Sequence, residues 1–439
     1  MNRSRIFIFE FVSGGGFNQV QIPSSLFCEG YGMLRALIAD FKAMDFEITS
    51  LLDERISFLS HYLETDSLQC IKASDNFMEV FKASVKDCES AFIIAPEFSN
   101  ILYDLTNLVK KENKKLLSTD LEGIELGSSK IKTYKHFRNH YIKTPKTYAL
   151  PLITDLDINF ILQIFEELNS PIVIKPLDGV GAESIYFFEK KNQIFNFFKE
   201  IGSQNIDLER KFIAQEYIEG EDLSVSLVGP PINNKKLRIP PLILGINNQD
   251  INIKKSKGDS EYFGGYTPVE DYEQIKKLLI KTFEKLELSM YNSYFGIDFI
   301  LTQDSLNFIE INPRLTTSYI GIRNILNVNP VELILNYRSK VLEFKEPEIQ
   351  GHSIFKRVEL EYVGEKNINE IRDKIIPKLL NEIPEFITPP ISFTKSNQTK
   401  KCDFSCFIAT KEKNKTDSQK RFAKINEVLK EKYGFYIIK

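Results

Sequence analysis

Three oxygen-bearing side chains, Asp298, Glu310 and Asn312, fall close together in Gly296-Ile-Asp-Phe-Ile-Leu301 and Asn307-Phe-Ile-Glu-Ile-Asn-Pro-Arg314. Each stretch is apolar and short enough for a buried strand, and alternation along a strand sends Glu310 and Asn312 to one face. Two carboxylates and an amide oxygen converging in a core are costly unless a positive group sits between them. Mg²⁺ is the economical candidate, a hard cation that takes oxygen ligands and accompanies nucleotide phosphates; Mn²⁺ would suit the same set. Alone, the pattern reads equally well as a strand pair with a polar outer face.

Further upstream, Ile172-Val-Ile-Lys-Pro-Leu-Asp-Gly-Val-Gly181 carries a β-branched strand that delivers Lys175 to its end. Gly179 and Gly181 then let backbone N–H groups approach an anion closely. In physical terms this is a phosphate site, although the ending of a Walker A motif is missing. A solvated lysine after a buried strand is the plain alternative. Lys130 opens a predicted helix, where the macrodipole also favours anions; alone it would be one more surface lysine. In Ala214-Gln-Glu-Tyr-Ile-Glu-Gly-Glu-Asp222 a glycine hinge separates two strands. The backbone edge of such a linker could read an adenine, and acidic side chains beyond it could accept from ribose hydroxyls. A charged hairpin would look the same.

The elements that must position these groups alternate. Residues 5–12 read as a strand ending at the Gly14–Gly16 turn, and residues 29–41 as a helix. Short strands at 48–52 and 91–95 and a helix at 101–112 complete a parallel α/β lobe over residues 1–120. Its active edge would lie at the carboxyl ends of the strands, where Glu10, Asp53 and Glu97 fall. Beyond come a serine-capped helix (128–141), strands at 172–175 and 184–188, a helix near 195–201, and strands at 212–218 and 222–228. Residues 251–268, rich in Lys, Gly, Ser and Tyr, read as a mobile loop. A helix (271–286), the Asp298/Glu310 hairpin and a helix from Asn329-Pro330 to Tyr337 follow. The last part, 345–439, reads as an appended α+β region with strands at 353–360 and 404–409 and a helix at 419–432.

At 439 residues, with 42% hydrophobic and 27% charged residues, the chain describes an ordinary multi-lobed globular protein. A net charge of −3, from 57 basic and 60 acidic residues, gives no electrostatic case for nucleic acid or an anionic membrane. The five cysteines are odd in number and scattered, which argues for a reducing compartment. Glu10 and the glycine turn interrupt the first apolar run too early for a signal peptide, and no stretch approaches the ~20 residues of a membrane span. The expected location is the cytoplasm.

In order and spacing the pieces resemble the ATP-grasp superfamily of carboxylate–amine ligases, over about residues 120–340. The matching residues are Lys130, Lys175-Pro with Gly179 and Gly181, Gln215-Glu-Tyr-Ile-x-Gly220-x-Asp222, Asp298, and Glu310-x-Asn312-Pro-Arg314. The resemblance implies an ATP-grasp fold spanning residues 121–344, between the N-terminal lobe and the appended region: an α/β and α+β protein. It implies that Lys130 and Lys175 hold ATP phosphates under a closing loop at 178–184. Gln215, Tyr217 and Ile218 would grip adenine, and Asp222 the ribose. Asp298, Glu310 and Asn312 would bind Mg²⁺, and Arg314 would stabilise the transferred phosphoryl group. Many members have an arginine two residues before the first metal aspartate, where this chain has Gly296; Arg323 or Lys257 are the candidates to replace it.

Phe9-Glu-Phe-Val-Ser-Gly-Gly-Gly16, Glu29-Gly-Tyr-Gly-Met-Leu-Arg35, Gly264-Gly-Tyr266 and Thr316-Thr-Ser-Tyr319 look like the branch serving methanofuran-type coenzyme synthesis. That implies small-molecule carboxylate and amine substrates, with glutamate and tyramine as the pair. Glu10, Gly14, Gly15 and Gly16, at a strand's carboxyl end, are the candidate substrate contacts. The implied chemistry needs no nucleophilic Ser or Cys: γ-phosphoryl transfer makes an acyl phosphate and ADP, an amine attacks, and phosphate leaves. A ligase for another amino-acid or peptide amine, or a nucleotide-binding sensor without turnover, are the competing readings. His136 and His140 lie four apart on a predicted helix but lack a third ligand, so a solvated face is expected. Cys402 and Cys406 have no second pair for zinc.

Overall fold

The computed structural model describes residues 3–152, 155–179, 184–200, 210–230, 240–253, 260–303, 305–338, 347–393 and 403–438. The N-terminal lobe contains β1 (Arg5–Glu10), α1 (Ser24–Ala43), β2 (Glu47–Asp53), β3 (Ser67–Ile71), α2 (Phe77–Lys86), β4 (Ser90–Ile94), α3 (Ile101–Lys111) and β5 (Lys115–Leu116). The strands form a parallel sheet in the order β3-β2-β1-β4-β5. Both faces are covered, so β1 and β4 read as continuous apolar runs rather than alternating ones. The sequence did not mark β3 and α2, because β3 is an edge strand whose residues are mostly part-exposed.

Helices α4 (Leu121–Gly127) and α5 (Lys130–Asn139) lead to β6 (Thr147–Ala149), α6 (Ile158–Leu168), β7 (Ile172–Pro176), β8 (Tyr186–Phe188), α7 (Lys191–Glu200) and β9 (Phe212–Glu216). These strands make an antiparallel sheet, β6-β9-β7-β8. Next come β10 (Glu221–Val228), β11 (Leu242–Asn248), β12 (Ile251–Asn252), β13 (Glu261–Tyr262), β14 (Gly264–Thr267), α8 (Tyr272–Phe283), β15 (Tyr294–Leu301), β16 (Leu306–Asn312), α9 (Ser318–Ile325) and α10 (Pro330–Arg338). Strands β11-β10-β15-β16 form a second antiparallel sheet.

The final part holds β17 (Ser353–Tyr362), α11 (Ile368–Glu370), a π-helical turn (Ile371–Ile375), α12 (Ile376–Glu382), β18 (Phe386–Ile391), β19 (Asp403–Ala409), α13 (Lys415–Tyr433) and β20 (Phe435–Ile437). Its sheet runs β14-β17-β19-β18, with β20 on β17, so it takes in a strand from the preceding region. The expected loop at 251–268 is therefore partly sheet; residues 254–259 lie outside the described set. The glycines that suggested a loop are there for close approach. A Cβ at Gly264, where φ is +98°, would sit 2.1 Å from Phe355 O, and one at Gly265 1.8 Å from Asn248 O.

Helix α1 joins the two ends of the chain. Its apolar positions Phe27, Tyr31, Leu34, Leu37, Ile38 and Phe41 recur at helical spacing and are fully buried. One flank packs on β1, and the other meets the C-terminal sheet: Arg35 Nη1 donates to Phe386 O (2.9 Å) and Ile387 O (3.0 Å), and Thr388 Oγ1 to Cys28 O (2.8 Å). N-terminal and C-terminal apolar side chains consequently share one core.

Candidate active site

Strands β15 and β16 pair antiparallel with Asp298 directly opposite Glu310 and Gly296 opposite Asn312. Asn312 Nδ2 donates to Asp298 Oδ2 (3.0 Å), and Gln249 Nε2 to Asp298 Oδ1 (3.1 Å). Burial, then the Glu310 carboxylate, push the Asp298 carboxyl up to about 7. Burial acts the same way on Glu310, but the Lys130 and Lys175 ammoniums outweigh it and hold that carboxyl below its usual value. Lys130 Nζ lies 3.1 Å from Glu310 Oε2, an ion pair whose angle falls short of a hydrogen bond.

Lys175 reaches this cluster from the end of β7, where Ile172, Val173 and Ile174 are buried. The lysine is only 8% exposed, and burial lowers its pKa to about 8 against the pull of Glu310. Lys130 begins α5, whose N-cap Ser129 accepts from Lys132 N (3.4 Å). Its backbone N bonds Leu177 O (3.2 Å) and its Nζ Gly179 O (3.4 Å), tying the helix start to the turn after β7. Arg210 braces that turn through Asp178 O (2.6 Å).

Lys130, Lys175, Gly179, Gln215, Tyr217, Ile218, Asp222, Asp298, Glu310, Asn312, Arg314 and Glu10 all line one cleft. Gly181 lies outside the described residues. Gln215 is 4% exposed and spends its Nε2 on Thr147 Oγ1 (2.8 Å), which fixes the β9 edge leading into Tyr217 and Ile218. Burial raises the Asp222 carboxyl, with Lys175 pulling it down. Arg314 crosses to the N-terminal lobe: its Nε donates to Glu97 Oε2 (3.0 Å) and its Nη1 to Leu315 O (3.0 Å).

Several expectations need correction. Glu10 lines the cleft, but its carboxylate holds its own turn: Oε1 accepts from Val12 N (3.0 Å), Oε2 from Ser13 N (2.7 Å) and Ser13 Oγ (2.6 Å). Gly14, Gly15 and Gly16 do not line the cleft; a Cβ at each would strike Phe9, Ile71 or Phe11, so they are packing positions. Asp53 pairs with Arg55 (2.7 Å). Arg323 is engaged by Asp40, with Nη2 to Oδ1 at 2.7 Å, and does not stand in for the arginine missing at Gly296. Lys257 lies outside the described residues, as does Cys402. His136 is half-buried rather than solvated, its Nε2 bonded to Glu287 O (2.8 Å).

Sequence reasoning missed Gln249, Tyr262 and Arg357. Gln249 follows β11 and braces Asp298. Tyr262 lines the cleft, its hydroxyl accepting from Thr317 Oγ1 (3.0 Å). Arg357, on β17, stands behind Glu29 at 3.8 Å. Gln249 stands just past the end of β11 and Tyr262 at the end of β13, but neither strand was marked in the sequence, and Arg357 lies mid-strand in β17 with nothing local to single it out.

A profile described as ATP-grasp domain matches residues 127–318, and one described as pre ATP-grasp 3 domain matches residues 46–124. The chain is 30% identical over 354 residues to a tyramine–L-glutamate ligase of Methanocaldococcus fervens, covering 77% of this chain and 96% of that protein. It is 28% identical over 346 residues to the corresponding ligase of Methanocaldococcus jannaschii, covering 77% and 91%. Among solved structures it is similar to an L-amino acid ligase of Bacillus licheniformis (TM-score 0.62, 12% identity, 100% of this chain and 99% of that one). It is also similar to an ATP-grasp superfamily protein of Archaeoglobus fulgidus (TM-score 0.56, 23% identity, 83% and 95%). Two antiparallel sheets flanking a cleft of lysines and carboxylates, with these relatives over most of the chain, place it in the ATP-grasp family, as an ATP-binding ligase that forms carbon–nitrogen bonds.

Proposed function

We propose that this ligase joins glutamate, through a carboxylate, to tyramine or a closely similar amine, as a step in methanofuran-type coenzyme synthesis. The carrying observation is the charge arrangement at Lys175, Lys130, Glu310 and Asp298, supported by identity with the two tyramine–L-glutamate ligases. Lys130 and Lys175 hold the phosphates of ATP beside the turn carrying Gly179. Tyr217 and Ile218 take the adenine on an edge fixed by Gln215, and Asp222 the ribose.

The residues fit a divalent cation. Asp298 and Glu310 lie half-buried side by side, Glu310 Oε2 is met, among the described residues, only by the Lys130 ammonium, and both carboxylates otherwise lean on ammoniums and amides for compensation. With Asn312 they make an all-oxygen donor set suited to Mg²⁺, and Mn²⁺ is a workable substitute. When bound, the ion would neutralise phosphate charge during transfer. The chain's own groups supply the rest: the lysines align the triphosphate, and Arg314 faces the group that is moved. The carboxylate becomes an acyl phosphate, ADP departs, and the neutral amine displaces phosphate to give an amide. A reaction consuming ATP in this way belongs in the cytoplasm.

Incubation with MgATP, L-glutamate and tyramine tests the reading: ADP and an amide of the two should accumulate together. AMP as product would contradict the mechanism, and ADP release with other amines only would replace the substrate. Nucleotide binding without ADP release for any amine would favour a sensor.

A further inference from the structure

The cleft has an end that the nucleotide residues do not use. Glu29 and Met33 of α1, Leu26, Val12 and Ile94 line it, together with Tyr262. Behind Glu29 stands Arg357, delivered by β17 from the C-terminal region and only 5% exposed. Its placement is elaborate. Nη2 donates to Tyr262 O (3.1 Å), Nη1 lies 3.2 Å from Glu359 Oε1, and the guanidinium carbon is 5.0 Å from the Phe263 ring centroid. Its backbone N bonds Phe263 O (3.0 Å), while Nε makes no hydrogen bond and lies 3.8 Å from Glu29 Oε1. A buried guanidinium costs several kcal/mol unless its surroundings compensate it. Here it anchors the strand bearing Tyr262 and stands as a countercharge 3.8 Å from the Glu29 carboxylate.

Among the described residues, this end carries three carboxylates in ion pairs, Glu29, Glu97 and Glu359, against two guanidiniums, Arg314 and Arg357. Arg314 and Tyr262 both feel the charges of Glu29 and Asp298, and all four line the same cleft. Leu26, Glu29 and Met33 recur at helical spacing on α1, and a carboxylate in a cleft also lined by Val12 and Ile94 matches a ligand with a cationic head on an apolar body.

We propose that Glu29 is the seat of the amine substrate's nitrogen, which arrives as an ammonium and gives a proton to the Glu29 carboxylate before it attacks, with the apolar body against Leu26 and Met33, and that Arg357 is a positioning residue for Glu29. The C-terminal region then completes the active site rather than merely flanking it. This rests on the ligase reading above for the identity of the cation as a substrate.

The experiment is saturation-transfer NMR on the full chain with tyramine and with the neutral alcohol tyrosol. Tyramine should bind saturably and tyrosol at least tenfold more weakly. Glu29→Gln should weaken tyramine at least tenfold and remove its preference over tyrosol. Arg357→Met should weaken tyramine about fivefold, with partial rescue in Arg357→Lys, and all variants should bind ADP within twofold of the parent. Absence of tyramine binding, or tyramine binding unchanged in Glu29→Gln, would overturn the proposal. Tyramine bound through Glu29 without ADP release would instead sink the ligase reading. ADP release whose amine KM ignores Glu29→Gln would keep the ligase and remove this subsite.

Discussion

Asp298 and Glu310 oppose each other across the β15–β16 hairpin, and although burial raises both carboxyls, Asp298 ends above its usual value and Glu310 below it. Only Glu310 has two ammoniums close enough to offset its desolvation. The pair is thus incomplete without another cation, and its affinity for one must depend on pH.

Since the Asp298 carboxyl sits at about 7, it is ionised above that pH and protonated below it. Divalent-ion binding should strengthen as pH rises through 7 and level off above. Below 7 the loss should approach about tenfold per pH unit, because the ion competes with one proton. Mn²⁺ titrations followed by electron paramagnetic resonance from acid to mildly alkaline pH check this; a flat profile would contradict it.

Lys175 has the opposite sign. Burial lowers its pKa to about 8, so in the free protein its charge is complete below that value and lost above it. ADP affinity should therefore decline in alkaline buffer, and Lys175→Arg should flatten the decline. Lys175→Met should weaken ADP by roughly 10- to 100-fold, the scale of one hydrogen bond to a charged group. Calorimetry reads all three.

Gly30 makes room for Glu10, since a Cβ there would lie 2.6 Å from the Glu10 carboxylate. Gly30→Ala should push that group off Val12 and Ser13 and cost about 1–3 kcal/mol by overpacking. Gly32→Ala, whose Cβ would lie 3.1 and 3.3 Å from methyl groups of Ile320 and Ile387, should cost less because those contacts are longer. Thermal melts of the two variants give the order.

Asp40 accepts from Arg323 and from Tyr319 Oη (2.6 Å), joining α1 to α9. Asp40→Asn should destabilise the protein by about 3 kcal/mol, the low end for breaking a buried pair because Arg323 is partly exposed. ADP affinity should stay within twofold, since neither residue lines the cleft. A selective loss of ADP binding would restore Arg323 to the site.

The cleft was legible where it depended on local pattern. Alternation put Glu310 and Asn312 on one face, a β-branched strand announced Lys175, and a helix start announced Lys130. Contacts between distant segments were not legible. Arg314 meets Glu97 across 217 positions and Arg323 meets Asp40 across 283, and neither residue's neighbours hint at its partner. Gly264 and Gly265 misled for another reason: glycine marks a loop in one context and tight backbone contact in another. The parallel first sheet followed from the strand–helix alternation. Its partnership with the C-terminal sheet did not, because α1 is apolar nearly all round and gives no sign of what covers its second flank.

The most direct test of the central claim uses ¹⁸O in the carboxylate of whichever acid supports ADP release. Activation by γ-phosphoryl transfer predicts one ¹⁸O atom in each phosphate released and none in the nucleotide. Unlabelled phosphate, or label appearing in AMP, would contradict it.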